Sequence, residues 1–371
     1  MKILLLSTGG RIGGEESFTK NLALGLMKKG HQVIVGVGGI IQAADLKEQG
    51  IRIAPVDITK RTPWGLYFNA KKLVRYVTAE KFDIVDVQAV GPAIMGILAK
   101  RIFHCNVLWI WHNHGISSFA YKYVVKYLKA LDLSIGVSDY VLTKMRACGI
   151  PWEKSCRIHN GISLQDFTLK EADKHLALID IRRSLNIPEK SFLFTYIGRL
   201  SPEKGVEVFL RAFEQLYATH NNVYCLLVGD GIQKEALLEL IKKFSSRNNI
   251  IFAGFRKDIP QVLAASDGLV LPSHAETFSL TALQAFAIGT PIIASDVDGT
   301  PEQVLPLFNG LLFKDDDSND LCLKMSFLLN NPDLAKYYAI NARKLSESYL
   351  NIDRMIAETE QVYIRIKEDR R

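Results

Sequence analysis

Short apolar runs recur along the chain, each closed by glycine or polar turn residues and followed by a stretch in which apolar positions return every three or four residues. Lys2–Ser7 is the first run. It ends in Thr8-Gly9-Gly10-Arg11-Ile12-Gly13-Gly14, after which Phe18, Leu22 and Leu26 share one helical face ahead of Lys28-Lys29-Gly30. A short continuous apolar run bounded by turns reads as a buried strand, and the three-to-four repeat as an amphipathic helix. The same reading places strands at His31–Val37, Ile51–Val56, Ile84–Val87 and Val107–Trp111. A polar, irregular stretch over 163–190 interrupts the alternation, which then restarts. Strands follow at Phe192–Ile197, Tyr224–Val228, Ile250–Ala253, Gly268–Leu271 and Pro291–Ala294, with helices at 202–219, 233–244 and 280–288 and through most of 320–371. Strands that alternate with helices imply a parallel sheet covered on both faces. The expected fold is therefore α/β, with two doubly wound, Rossmann-like parallel-sheet domains at 1–165 and 166–349. The C-terminal helix, 350–371, is expected to pack back on the first. Open parallel sheets bind ligands beyond the carboxyl ends of their strands, so two such sheets in tandem predict an interdomain cleft.

Composition narrows the class. A chain of 371 residues, 48% apolar and 23% charged, has ample material for two cores and lies outside the disordered, collagen-like and coiled-coil ranges. Its five cysteines, at 105, 148, 156, 225 and 322, include no C-x-x-C pair, and an odd number on so long a chain is no disulfide framework. A cytoplasmic, reducing location is the expectation. The apolar run Ala89–Ala99 is broken by Gly91, Pro92 and Gly96, so no membrane span is expected. The net charge of +7 is unevenly placed: residues 1–160 hold 22 Lys and Arg against 11 Asp and Glu, and the remainder 24 against 28. A basic half attracts an anionic partner.

The first glycine loop falls short of the dinucleotide fingerprint G-x-G-x-x-G, because the residue two before Gly10 is Thr8. Gly13-Gly14 stays open to two readings, a turn needing positive φ or bare backbone brought close to an anion at a helix start. In the second half, Tyr196-Ile197-Gly198-Arg199-Leu200-Ser201-Pro202-Glu203-Lys204-Gly205 puts Arg199 at a strand's carboxyl end, with Ser201 as N-cap and Pro202 first in the helix. Either cation alone reads as a solvated surface charge; Arg199 and Lys204 together suit an anion clamp. Leu227-Val228-Gly229-Asp230-Gly231 and Phe252-Ala253-Gly254-Phe255 are further strand-end turns. Between Pro272 and Pro291 a loop carries Glu276 and Phe278, and a helix opens near Ser279 and stops at Gly289. The N–H groups of Ser279, Leu280 and Thr281 would form a second phosphate seat, with Gln284 one turn in.

These elements, Gly-Arg-Leu-x-x-x-Lys-Gly, Val-Gly-Asp-Gly, Pro-Ser-x-x-Glu through Gln-Ala-x-Ala-x-Gly-Thr-Pro, and His159-Asn160-Gly161-Ile162, closely resemble the retaining glycosyltransferases of family 4. The resemblance runs in order over nearly the whole chain and implies the two-domain B-type glycosyltransferase fold. It places the family's basic pair for the donor diphosphate on Arg199 and Lys204, and its glycine loop on Gly13 and Gly14. The family's two glutamates fall on Glu276, which would contact donor sugar hydroxyls, and on position 284, which would hold the ribose. Here that position is Gln284, an amide that keeps hydrogen bonding but loses its charge-assisted part. The resemblance also calls for a histidine just past a strand of the first domain. Trp111-His112-Asn113-His114 offers two, and His112, the nearer to the strand end, is the choice over His114. Gly198, Gly229, Phe278, Ser279, Leu280 and Thr281 complete the expected donor site, with Asn160 and Phe255 as further candidates. Asp296-Val297-Asp298 has the D-x-D pattern of metal sites in a different glycosyltransferase fold, but lies where family 4 has an Asp followed by glycines. No metal and no cofactor are therefore expected.

The implied function is transfer of a sugar, with retention, from a nucleotide-diphosphate sugar to a glycan or lipid-linked acceptor in envelope polysaccharide or lipopolysaccharide synthesis. Two alternatives share the fold: a nucleotide-sugar 2-epimerase, opposed by Gly-Arg-Leu-x-x-x-Lys-Gly, and a weakly active binding scaffold, favoured by Gln284. The basic first domain, with Lys122, Lys126 and Lys129 among Phe119, Tyr121, Tyr123 and Tyr127, points to peripheral binding at an anionic membrane face, the inner face of the plasma membrane. No nucleic-acid-reading motif is present.

Overall fold

A computed structural model describes residues 1–8, 14–56, 58, 62–115, 125, 127–167 and 169–370. The chain divides into two units, Met1–Asn160 with Ile352–Arg371, and Gly161–Asn351. The first division thus falls at 160/161 instead of 165/166.

The sheet of unit 1 consists of β1 (Lys2–Ser7), β2 (Gln32–Val37), β3 (Arg52–Ile53), β4 (Ile84–Val87), β5 (Leu108–Asn113), β6 (Leu133–Gly136) and β7 (Ser155–Arg157). All are parallel, in the order β3-β2-β1-β4-β5-β6-β7. Among the described residues its helices include α1 (Gly14–Lys28), α2 (Ile40–Glu48), α3 (Pro63–Ala79), α4 (Val90–Arg101) and α5 (Asp139–Ala147). Because β1 sits centrally and the order reverses between β1 and β4, the carboxyl ends of those strands mark the ligand-binding edge of such a sheet.

Unit 2 repeats the plan. Its helices are α6 (Glu171–Ser184), α7 (Val206–Tyr217), α8 (Lys234–Ile241), α9 (Ile259–Ala265), α10 (Leu280–Ile288), α11 (Thr300–Gln303), α12 (Ser318–Asn330) and α13 (Pro332–Ser348). The strands β8 (Phe192–Ile197), β9 (Val223–Val228), β10 (Ile250–Gly254), β11 (Gly268–Leu271), β12 (Ile292–Ser295) and β13 (Leu311–Phe313) pair in parallel in the order β10-β9-β8-β11-β12-β13. Reversal between β8 and β11 puts the binding edge at Gly198 and Pro272. Phe194, Tyr196, Phe209, Phe213 and Val270 are buried in the core beneath it.

Two expected elements differ. The helix expected over 202–219 is a 3₁₀ turn at Pro202–Lys204, a left-handed Gly205 (φ 59°), and only then α7. A Cβ on Gly205 would lie 1.9 Å from the Pro272 carbonyl oxygen, so the break is set by the close passage of another loop. Ser201 accordingly makes no cap; its hydroxyl donates to the Glu203 carboxylate at 2.7 Å. The strand expected at Ile51–Val56 shortens to two residues, and β6 (Leu133–Gly136), β7 (Ser155–Arg157) and β13 (Leu311–Phe313) go unread.

The final helix, α14 (Ile352–Glu368), belongs to unit 1. Ile356 fills the space over Gly25, where a Cβ would lie 2.0 Å from its Cδ1. The buried Tyr363 hydroxyl donates to Asp86. Lys367 pairs with Asp83 at 2.7 Å, and Glu360 with Lys29 at 2.8 Å and His31 at 2.6 Å. Burial works against the charge of Asp83 and of Glu360, yet their cationic and hydrogen-bonding partners hold both below the usual carboxylate range. A lowered folded-state pKa contributes stability that is full above the unfolded value, about 4, and is lost as pH falls through the folded one. Protection of the α14 amides, taken relative to the intrinsic exchange rate at each pH, should therefore fall on acidification from about pH 5 to below that range, ahead of protection in α7; an equal fall in both would refute the anchoring role of these pairs.

Candidate functional site

In unit 2 three strand-end turns lie against one another with almost no side chain between. The Gly198 N–H donates to Val228 O at 2.9 Å and the Gly229 N–H to Gly254 O at 2.8 Å. Gly229 has φ 138°, and a Cβ there would sit 1.9 Å from Gly198 O. A Cβ on Gly231 would likewise fall 2.2 Å from Leu200 O. Only glycine permits this stacking, and it leaves bare backbone at the carboxyl edge of the sheet. Below it the buried Tyr196 hydroxyl donates to Arg199 O at 2.6 Å, which fixes the backbone from which Arg199 projects.

Arg199 is exposed, with Glu203 its closest acidic neighbour at 3.8 Å. Burial opposes ionisation of Glu203, but Ser201, Arg199 and Lys204 hold its carboxyl below the usual range. Lys204, half-buried, places Nζ 2.7 Å from Oε2 of Glu276. The structure thus joins two of the expected catalytic residues directly, one from the turn after β8 and one from the loop after β11. An ammonium has three donors, so Lys204 can hold Glu276 and still offer hydrogen bonds to an anion. A cavity of about 10 Å³ lies behind Glu276, bordered by Ser279, Ser295 and Gln303; it has room for about one water, far too little for a sugar.

The start of α10 follows the expected cap: Ser279 Oγ accepts the Ala282 N–H at 3.2 Å, and Gly289 closes the helix in the left-handed region. The seat differs in one respect. The Ser279 N–H is taken by the buried Gln303 side chain at 2.6 Å, whose amide in turn donates to Ser279 O at 3.0 Å. Among the described residues, the Leu280 and Thr281 N–H groups remain for a ligand. Phe278 is buried beneath the loop, whereas Leu280, Thr281 and Gln284 are half-buried along the helix. Phe255 projects from the turn after β10, 59% exposed. Asp298 has φ 48°, and the next residue's N–H donates to Glu276 O at 3.0 Å, so the Asp296–Asp298 turn braces the Glu276 loop.

In unit 1, Gly13 lies outside the described residues, and Gly14 opens α1. The following Glu15, unnoticed in the sequence, accepts from Ser7 Oγ at 2.7 Å and from the Thr8 N–H at 3.2 Å. Burial pushes its carboxyl above the usual range despite those bonds. The structure places the two candidate histidines differently from each other. β5 runs on to Asn113, so His112 stands within the sheet with no exposure, its Nδ1 3.6 Å from Asp86. His114 lies just past the strand end and retains some exposure. Its ring stacks on His112 with centroids 5.1 Å apart, meets the edge of Phe18, and approaches Gln88 Oε1 at 2.7 Å. That enclosure and the neighbouring imidazole hold His114 well below the usual histidine range, so it is neutral near pH 7. Asn160 is buried at the end of unit 1, its carbonyl accepting from Arg354 of α14 at 3.3 Å. Of the aromatic and basic segment 119–130, residues 119–124 and 126 lie outside the described residues; Tyr127 and Lys129 are exposed.

Residues 12–166 match the family model described as Glycosyltransferase Family 4, and residues 179–345 that of Glycosyl transferases group 1. Among curated relatives, an uncharacterized glycosyltransferase of Methanocaldococcus jannaschii is 24% identical, covering 95% of this chain and 94% of its own. The UDP-Gal:alpha-D-GlcNAc-diphosphoundecaprenol alpha-1,3-galactosyltransferase of Escherichia coli is 26% identical, over 79% of this chain and 78% of its own. Among solved structures, a glycosyltransferase from Rickettsia africae superposes with a TM-score of 0.87 at 22% identity, over 98% of each chain. The Anabaena protein HepE in complex with UDP-glucose gives 0.84 at 24% identity, over 98% of this chain and 100% of its own. Among the described residues no helix is long and apolar enough to cross a membrane.

Proposed function

The chain belongs to the family 4 glycosyltransferases of B-type fold, enzymes of glycosyl transfer, and from that premise we propose a retaining transferase that needs no metal, with unit 2 binding the nucleotide-diphosphate sugar and unit 1 the acceptor. The observation that carries this reading is the Lys204–Glu276 pair beside the start of α10, with Arg199 exposed on the same turn as Lys204 and paired with Glu203. When the anomeric C–O bond to the diphosphate breaks, its electron pair stays on the leaving phosphate oxygen. Arg199, Lys204 and the Leu280 and Thr281 N–H groups supply positive charge and donors to that oxygen and its neighbours. These cations do the work for which other transferases use a divalent ion. The acceptor hydroxyl attacks from the face the diphosphate leaves, and its proton passes to the departing phosphate. Glu276, held by Lys204, receives hydrogen bonds from the sugar hydroxyls; Gln284 reaches the ribose; His114 takes the place expected for His112.

Relatives named for O-antigen biosynthesis and for a diphosphoundecaprenol-linked acceptor support a glycan or lipid-linked acceptor in envelope synthesis. The epimerase and scaffold alternatives are not favoured. The basic character of residues 1–160 supports a peripheral position on an anionic membrane face. A thermal-shift panel of UDP-, GDP-, ADP- and TDP-sugars tests the donor site, because a ligand bound only by the folded chain raises its melting temperature. At least one is expected to do so with EDTA present. No shift with any of them, or a shift only with Mg²⁺ or Mn²⁺, would contradict the reading.

A further inference from the structure

Helix α3 presents two unlike faces. Ala70, Leu73 and Val77 are buried toward the body of unit 1. The opposite side carries Trp64, 75% exposed, and Phe68, 56% exposed, followed by the exposed Lys71, Lys72 and Arg75. Those positions recur at helical spacing, so they form one stripe about 16 Å long. Helix α3 contains no carboxylate. Its aromatic end is extended by the neighbouring element: Tyr67 meets Phe103, just past α4, with ring centroids 5.4 Å apart, and Ile102 beside it is 50% exposed. A large, water-facing tryptophan and phenylalanine beside a row of cations is unfavourable on a surface that stays in water. It matches a helix lying in the plane of a bilayer interface, with aromatic rings at headgroup depth and cations over anionic phosphates.

We propose that the outward face of α3, with Ile102 and Phe103, is the surface by which unit 1 docks on an anionic lipid bilayer. The proposal rests on the peripheral-membrane part of the proposed function and goes further by naming the face. Charge selects the occupant: three cations with no opposing carboxylate on the helix favour anionic headgroups over a neutral protein surface. Each cation near such a surface contributes about 1 kcal/mol, a factor of about five in binding, so the three contribute about 10²-fold.

The test uses the full chain with vesicles of phosphatidylcholine alone or mixed with phosphatidylglycerol, at low salt. Binding to the mixed vesicles is expected, and replacing Lys71, Lys72 and Arg75 together by glutamine should weaken it by about 10²-fold. All three side chains are exposed, so the melting temperature of this variant should not change. Depth is read separately. Trp109 and Trp111 are buried, so in a Trp152→Phe background Trp64 is the exposed tryptophan, and bromine-labelled lipids should quench it on binding. Mixed-vesicle binding that leaves Trp64 unquenched and survives the triple substitution would overturn the assignment of this face while sparing the membrane reading. No binding to either vesicle would overturn both. Self-association abolished by Trp64→Ser with Phe68→Ser, with no lipid binding, would give the face to a second copy of the chain instead.

Discussion

Replacing Arg199 and Lys204 together by alanine should lower turnover by at least about 10²–10³-fold, the loss typical of removing even one donor to a developing negative charge. The two are not equivalent. Arg199 is exposed, and its ion pair among the described residues is the 3.8 Å one with Glu203, so its loss should leave the unit intact. Lys204 also holds Glu276 at 2.7 Å, and Lys204→Ala frees that carboxylate to repel the diphosphate as well as removing a donor. The single substitution at Lys204 should thus weaken donor binding, whereas Arg199→Ala should act chiefly on the rate with bound donor. Steady-state kinetics on both singles and the double separate these effects. Near-normal turnover in the double variant would remove the diphosphate clamp from the mechanism.

The largest expected effect on stability lies at Arg182 of α6. Its guanidinium is 1% exposed and donates to the carbonyls of Pro188, Glu189, Ser191 and Ala265, and to Asp267 at 2.6 Å. Asp267 also accepts the Leu193 N–H at 2.7 Å. One side chain therefore ties α6, the chain entering β8 and the turn between α9 and β11. Arg182→Met retains much of the apolar stem but leaves several carbonyls and a carboxylate without their donor. Leaving buried acceptors without their donor costs about 1–3 kcal/mol, and more where the acceptor is charged. Urea unfolding of the variant should show a loss of that order, against less than about 1 kcal/mol if the arginine were replaceable.

Much of the architecture was readable because parallel strands buried on both faces are nearly continuous apolar runs, and Lys2–Ser7, Ile84–Val87, Phe192–Ile197 and Gly268–Leu271 are strands with the bounds expected. What escaped depended on distant residues. Nothing local says that Gly205 must pass the Pro272 carbonyl, so the 3₁₀ turn and the lost Ser201 cap could not be foreseen. The placing of His112 just past a strand differs for a related reason: the strand ends two residues later than the apolar run, because the histidine and asparagine continue its pairing with β6. Arg182 and Gln303 are polar residues whose burial is created by the fold, and a sequence shows them only as helix positions. Glu15 was within reach, since a carboxylate at a helix start beside a glycine loop is a recognisable signal. The site motifs Gly-Arg-Leu-x-x-x-Lys-Gly and Pro-Ser-x-x-Glu were legible because bare-backbone turns and charged residues at strand ends have few structural substitutes.

The central claim, metal-independent transfer with retention, is tested most directly by the configuration of the sugar first released. The nucleotide sugar giving the largest melting shift is incubated with EDTA-treated protein, with water as acceptor, and the free sugar is followed by proton NMR before its anomers equilibrate. The account predicts that the anomer present in the donor appears first and that EDTA leaves the rate unchanged; the opposite anomer first, or release only when a divalent cation is restored, would contradict it.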